Sequence, residues 1–410
     1  MTDPAAVLPS FDVVTEQVDP ITSLLPLLDA RHPLLFMRRG EGIAGLGEAA
    51  RLEFHGPDRL RDAAETWKRI AAASTVRDEV GRSGSGLVAF GAFAFADESD
   101  CTSVLIVPRV VVGRRDGVSF VTRIDGAQDA VAATALGPEF RVVLHPGALT
   151  TDGYLEAVRT AITRILAGGV EKVVLARDLV GHLPAGGDIR RVLVDLALGY
   201  PDTWTFAVDG LIGSSPETLV RVNARTVTAR VLAGSTARGA DAESDAAAAL
   251  ALATSTKDLD EHRFAVESVL GALRAHGGGV AASELPFTLK LPNLWHLASD
   301  VEGTLSDGST ALDLAAALHP TAAVAGTPRD AALRAIADLE PIDRRRYGGP
   351  VGWVDADGNG KWAIALRAAE VAEDGTIEAY AGAGIVADSD PERELAETKL
   401  KFRPIVEAFA

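Results

Sequence analysis

Residues 362–385 decide the fold class, and they read WAIALRAAEVAEDGTIEAYAGAGI. This stretch predicts two strands, 362–371 and 377–380, separated by a short polar turn with no helix between them. Strands joined so directly are typical of an antiparallel sheet. Strands and helices do not alternate as strict βα units elsewhere either. The sequence therefore favours an α+β fold with antiparallel sheets over a doubly wound one.

The flanking patterns extend this prediction over the chain. Apolar periodicity predicts helices at 24–28, 61–73, 152–167, 255–276 and 391–408, and strands at 87–95, 103–112, 172–179 and 216–222. In the last helix, Asp390 suits the N-cap and Pro391 the first helical position. The patterns sharpen after residue 146, so we separate an N-terminal part, 1–146, from a region 147–410, and expect them to form one compact unit.

Composition excludes several classes of protein. The 410 residues are 47% hydrophobic, which supplies a large core, and the formal net charge of −17 argues against a nucleic-acid-binding face. A single cysteine, Cys101, excludes a disulfide framework and a multi-cysteine metal site. The N-terminus lacks a signal-peptide pattern, and the longest apolar run, 86–96, is far shorter than a membrane span of about 20 residues. We expect a soluble, cytoplasmic protein that does not bind membranes.

Two segments could supply a pair of proton-transfer groups. Lys172 shares a strand face with Val174 and Ala176, and an apolar face favours the neutral amine of a general base. The alternative is a strand-end lysine whose ammonium reaches water. Glu217 follows Pro216 at a loop-to-strand junction, where burial would suit a general acid. The alternative there is an ordinary turn glutamate.

Four carboxylates in two helices are candidates for a metal site. Asp258 and Glu261 lie three residues apart beside the apolar stripe of one helix, and Glu394 and Glu397 repeat that spacing in the last helix. If the two helices face each other, the carboxylates repel unless a hard cation neutralises them, and oxygen-only ligands favour Mg²⁺ over Zn²⁺. The alternatives are helix capping, the helix dipole and an ion pair between Glu397 and Lys401.

Other residues suit an anionic ligand. Arg367 shares its predicted strand face with three alanines, which leave room for a carboxylate under the guanidinium; the alternative is an ion pair with a neighbouring strand. The glycines of 382–385 and the Gly234-Ser235 pair would let backbone N–H groups approach an anion. By themselves, His296 and His319 are typical of satisfied core or loop positions.

Taken together, these segments resemble the chorismate-utilising enzymes, and most of all the isochorismate synthases. The resemblance runs from about residue 151 to the C-terminus. Its motifs are KVVLAR at 172–177, SPETL at 215–219, LAGS at 232–235, EH at 261–262, WHLAS at 295–299, HPT at 319–321, YGGPVGW at 347–353, GAGIV at 382–386 and ETKLK at 397–401.

The resemblance implies a sandwich of two large, mostly antiparallel sheets with outer helices and a chorismate site between the sheets, mainly within 147–410. Lys172 then looks like the base that activates water at ring C2, and Glu217 like the acid that protonates the leaving C4 hydroxyl. Glu261 and Glu397 resemble direct Mg²⁺ ligands, with Asp258 and Glu394 beside them. The implied substrate contacts are Gly234, Ser235 and Lys401 for the ring carboxylate; Tyr347, Arg367 and the backbone of Gly382, Ala383, Gly384 and Ile385 for the enolpyruvyl carboxylate; and His296 on the C4 side.

Three positions separate branches of this family. Lys172 favours water over ammonia as the nucleophile, unlike the glutamine of anthranilate synthases. Ala233 argues against aminodeoxychorismate synthases, which carry a lysine there. Ala323, where salicylate synthases tend to carry threonine, favours release of isochorismate. The expected function is therefore a monomeric, Mg²⁺-dependent isochorismate synthase of menaquinone or siderophore synthesis. The alternatives are a salicylate synthase and a non-catalytic anion- or metal-binding protein.

Overall fold

The computed structural model describes residues 8–290 and 294–410, without the side chains of Glu261 and Leu294. Its strands in the first 146 residues are β1 (Asp12–Val18), β2 (Leu34–Arg38), β3 (Glu41–Leu46), β4 (Ala50–Phe54), β5 (Thr75–Asp78), β6 (Val88–Ala92), β7 (Ser103–Val107), β8 (Val110–Arg115), β9 (Val118–Ile124) and β10 (His145–Pro146). Those that follow are β11 (Lys172–His182), β12 (Trp204–Val208), β13 (Leu211–Ser215), β14 (Thr218–Asn223), β15 (Thr226–Ala237), β16 (Gly277–Ala282), β17 (Phe287–Lys290), β18 (Leu294–Leu305), β19 (Gly326–Thr327), β20 (Pro350–Asp355), β21 (Gly360–Ile364), β22 (Ala368–Val371) and β23 (Thr376–Ile385).

The helices lie mostly in the second half of the chain. They are α1 (Arg59–Ala73), α2 (Thr151–Leu166), α3 (Arg190–Gly199), α4 (Ala242–Thr254), α5 (Thr256–Arg274), α6 (Ala311–Leu318), α7 (Arg329–Leu339) and α8 (Pro391–Phe409). Asp390 caps α8 by accepting a hydrogen bond from the Arg393 N–H, and Pro391 occupies the first turn, as predicted. In the described residues, no helix is long and apolar enough to cross a membrane.

The strands form two large sheets, which confirms the predicted α+β class. Within the described residues, sheet A has thirteen strands, in the order β10-β11-β23-β22-β13-β12-β2-β3-β8-β9-β1-β5 with β19 beside β11. Sheet B has ten, in the order β16-β18-β15-β14-β21-β20-β6-β7-β4 with β17 beside β18. Both sheets contain strands from before and after residue 146, and the pairing of β1 with β5 is the one parallel pairing among those described.

Aromatic side chains fill the space between the two sheets. Phe36, Phe120 and Phe206 of sheet A belong to the same buried cluster as Phe90 and Trp353 of sheet B. Burying such large apolar surfaces holds the sheets together, at roughly 25 cal/mol for each Å² removed from water. Two further clusters pack helices against the outer faces, which gives the layered arrangement that the resemblance implied.

Two of the crossings of the chain between the sheets lie side by side, and these two open the functional site. After β13 the chain leaves sheet A through Pro216 and Glu217 and enters sheet B as β14; residues 365–367 make the return crossing from β21 to β22. Hydrogen bonds tie the crossings together, from the Ile364 N–H to the Glu217 carbonyl at 3.1 Å and from the Ser214 N–H to the Arg367 carbonyl at 3.1 Å.

The second crossing corrects the predicted strand 362–371, which is two strands in different sheets. The chain turns at Arg367, whose φ is +50°, a left-handed conformation unusual for arginine. The predicted strand 103–112 was wrong in the same way, since β7 lies in sheet B and β8 in sheet A. Except for the exposed Arg109 and the half-buried Val371, the residues of both segments are buried whichever face they point to, so alternation gives no sign of the break.

Candidate active site

A cavity of about 220 Å³ lies where the two crossings separate the sheets. Its lining includes the predicted base and the predicted acid, which therefore share one chamber. Of the other predicted site residues, it contains Gly234, Ser235, Asp258, His296, Ala323, Tyr347, Arg367, Gly382, Gly384, Glu394, Glu397 and Lys401. Segments far apart in sequence meet here because β11, β15, β23, α5 and α8 all end or bend at the same gap.

Lys172 is placed by the pairing of β11 with β23. Val174 lies opposite Gly384 in the ladder, and β22 pairs with β23 only as far as Tyr380. The last residues of β23 therefore extend past their neighbour, and Gly382 and Gly384 line the cavity. A Cβ atom on Gly384 would stand 2.9 Å from Lys172 Cε and 3.5 Å from its Nζ, so the glycine leaves the space that the lysine occupies.

We therefore expect Gly384→Ala to move the Lys172 amine and to lower kcat about tenfold, since small misplacements of a reacting group are costly. The new methyl group meets the flexible end of a side chain rather than backbone, so the melting temperature should stay near that of the parent. Steady-state kinetics and thermal unfolding check this. Gly271→Ala in α5, with open space around the glycine, is the control, and equal kinetics for the two variants would contradict the placement.

Glu217, the predicted acid, lies in the cavity lining. Burial raises the pKa of its carboxyl to about 7, although the positive charges of Arg367, Lys172 and Lys401 act in the opposite direction. The residue is fixed by the first crossing, where its N–H donates to Ser215 Oγ at 3.2 Å and that hydroxyl donates to the Ile364 carbonyl at 2.6 Å. A carboxyl that is protonated near neutral pH can donate a proton to a leaving group.

Arg367 and Tyr347 are two further polar residues of the cavity lining. Burial lowers the pKa of Arg367, but Tyr347, Glu397 and Glu217 favour its charged form. Among the described residues, its guanidinium has no hydrogen-bond partner, so its fork is available to a ligand carboxylate. Tyr347 stacks on Tyr380 with ring centroids 5.6 Å apart, and burial raises the pKa of its hydroxyl, which stays a donor.

A β-bulge brings Gly234 and Ser235 to the cavity. Between Leu232 and Ser235, β15 has one residue more than its partner β18, and Gly234 takes a φ of +80°. His296 pairs with Ser235 across the ladder and is buried, which lowers the pKa of its imidazole to about 3 and keeps it neutral. Its Nε2 has no partner in the described part of the chain, so it can bond to a ligand. His319, by contrast, is a satisfied core residue, with Nε2 2.9 Å from the Phe95 carbonyl.

Three of the four predicted metal ligands, Asp258, Glu394 and Glu397, line the cavity. Burial raises the pKa of Glu394, and the charge of Glu397 adds to this effect. Their donor atoms are carboxylate oxygens, which match Mg²⁺ in kind. Among the described side chains, no three potential ligands are grouped closely enough to hold an ion. The fourth predicted ligand, Glu261, has its side chain outside the described residues.

Neighbouring contacts fix the two helices that carry these carboxylates. In α5, His262 lies 3.1 Å from the Ala233 carbonyl and 2.8 Å from Ser299 Oγ, so the helix is tied to the bulge of β15. In α8, Lys401 Nζ donates to the Gly382 carbonyl at 2.9 Å and lies 2.7 Å from Glu397 Oε1. Burial by itself raises the pKa of Glu397, but this ammonium group outweighs it and keeps the carboxyl ionised.

Two residues of the predicted set are absent from the cavity lining, and two charged residues of the lining were not predicted. The side chains of Ala383 and Ile385 are buried in the hydrophobic core and do not line the cavity, because side chains alternate along β23. The predicted contacts were to the backbone of these two residues, and they stay a prediction. Lys257 and Arg344 line the cavity but were not predicted. Arg344 opens a run of three arginines, which in sequence is typical of a solvated surface, and no periodicity marks it as buried.

Basic side chains outnumber carboxyl groups in the described lining of this acidic protein. The basic ones are Lys172, Lys257, Arg344, Arg367 and Lys401, and the carboxyl groups are those of Glu217, Asp258, Glu394 and Glu397. Protonation of Glu217 near neutral pH removes one negative charge from the cavity. A cavity of this charge, with a neutral imidazole, a phenol, a buried acid and a lysine amine, suits proton transfer on a small anion.

Comparisons with known proteins identify similar chains. Residues 127–410, more than half of the chain, match the family model described as chorismate binding enzyme. Isochorismate synthase DhbC of Bacillus subtilis (strain 168) is 42% identical over 272 residues, covering 63% of this chain and 68% of that protein. Isochorismate synthase MenF of the same organism is 30% identical over 401 residues, covering 90% of this chain and 85% of that protein. A crystal structure of DhbC from Bacillus anthracis superposes with a TM-score of 0.78 at 32% identity, covering 94% of this chain and 98% of that one.

Proposed function

This chain belongs to the chorismate-binding enzyme family, and from that premise we propose that it is an isochorismate synthase, which isomerises chorismate to isochorismate. The observation that carries the proposal is the pairing of Lys172 with Glu217 in one cavity, where burial raises the pKa of the acid to about 7. Relatives similar over most of the chain bear the same name.

In the proposed reaction, Lys172 takes a proton from water as the water oxygen attacks ring C2. The allylic double bond shifts, and Glu217 gives a proton to the C4 hydroxyl as it leaves. Chorismate is a dianion, and the cavity offers separate sites for its two carboxylates. The Arg367 guanidinium and the Tyr347 hydroxyl would hold the enolpyruvyl carboxylate, while Lys401 and the Gly234-Ser235 bulge would face the ring carboxylate.

We also propose that the enzyme is Mg²⁺-dependent. The carboxylates of Asp258, Glu394 and Glu397, together with Glu261 of the same helix as Asp258, would hold the ion. A bound ion would supply positive charge for the ring carboxylate. The support is the donor chemistry and the raised pKa of Glu394, which indicates a wall where a cation would relieve repulsion between carboxylates. That the enzyme is a monomer and serves menaquinone or siderophore synthesis stays a prediction.

Product analysis tests the proposed function directly. Purified protein incubated with chorismate and Mg²⁺ should form isochorismate, resolved by chromatography, with little pyruvate. Ala323 in the cavity wall favours this outcome over the salicylate synthase alternative, which would yield fluorescent salicylate and an equal amount of pyruvate. Chorismate that binds in calorimetry but gives no product would instead support a non-catalytic binding protein.

Removing divalent ions should abolish most of the turnover. With EDTA we expect kcat to fall by at least about a hundredfold, because the carboxylate wall would then face the substrate carboxylate without neutralisation. Added Mg²⁺ should restore activity, and Mg²⁺ binding measured by calorimetry without chorismate should weaken in Glu397→Gln. Full activity after exhaustive chelation would contradict the metal proposal and leave the assignment of base and acid intact.

A further inference from the structure

β11, which carries Lys172 at its first position, has an incomplete neighbour on the side away from β23. β19 pairs only with the first two residues of β11, and β10 only with Leu179 and Val180. Backbone groups between these points are buried, and a buried N–H or carbonyl without a partner destabilises the folded state. The Val174 N–H finds the Ala325 carbonyl at 2.9 Å, which leaves the Val174 carbonyl and the Ala176 N–H to be satisfied.

An ion pair supplies both missing partners. Arg344 Nη2 donates to the Val174 carbonyl at 2.6 Å, and Glu340 Oε1 accepts from the Ala176 N–H at 2.7 Å. The two side chains are joined by Nη2–Oε1 and Nε–Oε2 contacts of 2.5 and 2.8 Å, and are only 2% and 1% exposed. The pair thus takes the place of a neighbouring strand along β11.

The same guanidinium also holds the segment of the cavity lining that lies beside β11. Arg344 Nη1 donates to the Val324 carbonyl at 2.8 Å, and Val324 directly follows Ala323 in the lining. The face of the guanidinium lies 4.5 Å from the centre of the Phe95 ring. One side chain therefore fixes two segments relative to each other, with the base on one and Ala323 on the other.

The hydrogen bonds of Arg344 distinguish it from the other arginine of the cavity. Its four bonds to the protein use four of the five guanidinium N–H groups. Arg367 makes no such bonds within the described part of the chain and can bind a ligand. Arg344 therefore acts on the protein framework, although it lines the same cavity.

We propose that Arg344, held by Glu340, is a positioning residue that sets where the Lys172 amine stands relative to the bound substrate. The inference rests on the proposed function and names a residue that the resemblance did not supply. Lysine in its place keeps the charge but has no planar fork, so it cannot hold both carbonyls and the carboxylate in one fixed geometry.

Arg344→Lys, measured beside Arg346→Lys, tests this inference. Arg346 is a matched control because it is also buried and also bonds two carbonyls, those of Thr102 and Asp209, and a carboxylate, that of Asp209, but it does not line the cavity. We expect Arg344→Lys to lower kcat about 10–100-fold with KM for chorismate within about threefold of the parent. Arg346→Lys should lower the melting temperature about as much as Arg344→Lys does, but it should keep the parental kcat.

Parental kcat in Arg344→Lys, or an equal loss of kcat in Arg346→Lys, would overturn the inference. If Arg344→Lys does not fold, Glu340→Gln serves in its place, with an expected loss of about tenfold in kcat and the same unchanged KM. Wild-type protein that forms no isochorismate would overturn the proposed function, and this inference with it. Active wild-type protein together with a fully active Arg344→Lys would overturn only the inference.

Discussion

Lys172→Met is expected to lower kcat about 10²–10⁴-fold while KM for chorismate changes little, because general base catalysis contributes about that much. Methionine keeps the length of the side chain between β11 and Gly384 and removes only the amine. In the proposed function, chorismate is bound by other groups of the lining, above all Arg367 and Lys401, which the variant keeps. Single-turnover kinetics and calorimetry would separate the chemical step from binding.

Lys361→Met is the matched control for this variant. Lys361 is buried and lies about 6 Å from the ring centres of Trp204 and Trp353, outside the cavity. Burial lowers the pKa of its amine to about 6, so its neutral form is available near physiological pH. We expect Lys361→Met to keep the parental kcat. Wild-type turnover in Lys172→Met would remove the base from the mechanism.

Local sequence rules predict β11 and α8, which carry site residues, better than they predict the crossing between the sheets at Arg367. The strand around Lys172 and the helix that begins after Asp390 follow from local rules, since each is marked by apolar periodicity or capping residues. The crossing at Arg367 does not, because its neighbours are as apolar and buried as those of a central strand. Which sheet a strand joins is decided by contacts across the whole chain.

The resemblance predicted most of the described residues that line the cavity. The geometry explains why local sequence rules could not predict some of them. Gly382 and Gly384 face the cavity only because β22 ends early and β23 continues beyond it, a difference in strand length that no motif encodes. Glu340, the C-cap of α7, and Arg344, in the loop that follows, lie four residues apart. That spacing is common on exposed helices, and only the gap beside β11 gives it a role.

Glu217→Gln is the second change expected to remove most of the activity, again about 10²–10⁴-fold in kcat. The amide keeps the shape of the carboxyl but cannot give up a proton to the departing hydroxyl. In the wild-type enzyme, burial raises the pKa of Glu217 to about 7, and in the proposed reaction the protonated form donates to the leaving hydroxyl of chorismate. The forward kcat/KM should therefore fall as pH rises above about 7, and the remaining activity of Glu217→Gln should lack this limb.

The reverse reaction gives the opposite sign and tests the same assignment. With isochorismate as substrate, the ionised carboxylate accepts the proton, so kcat/KM should fall as pH drops below about 7. Folding stability provides a control. Because the pKa of Glu217 is raised in the folded state, the folded wild-type protein becomes less stable as the pH rises from about 4.5 to about 7. Glutamine has no such loss, so the melting temperature of Glu217→Gln relative to wild type should be higher at about pH 8 than at about pH 4. If kcat/KM of Glu217→Gln still falls as the pH rises above about 7, this pH dependence belongs to another group.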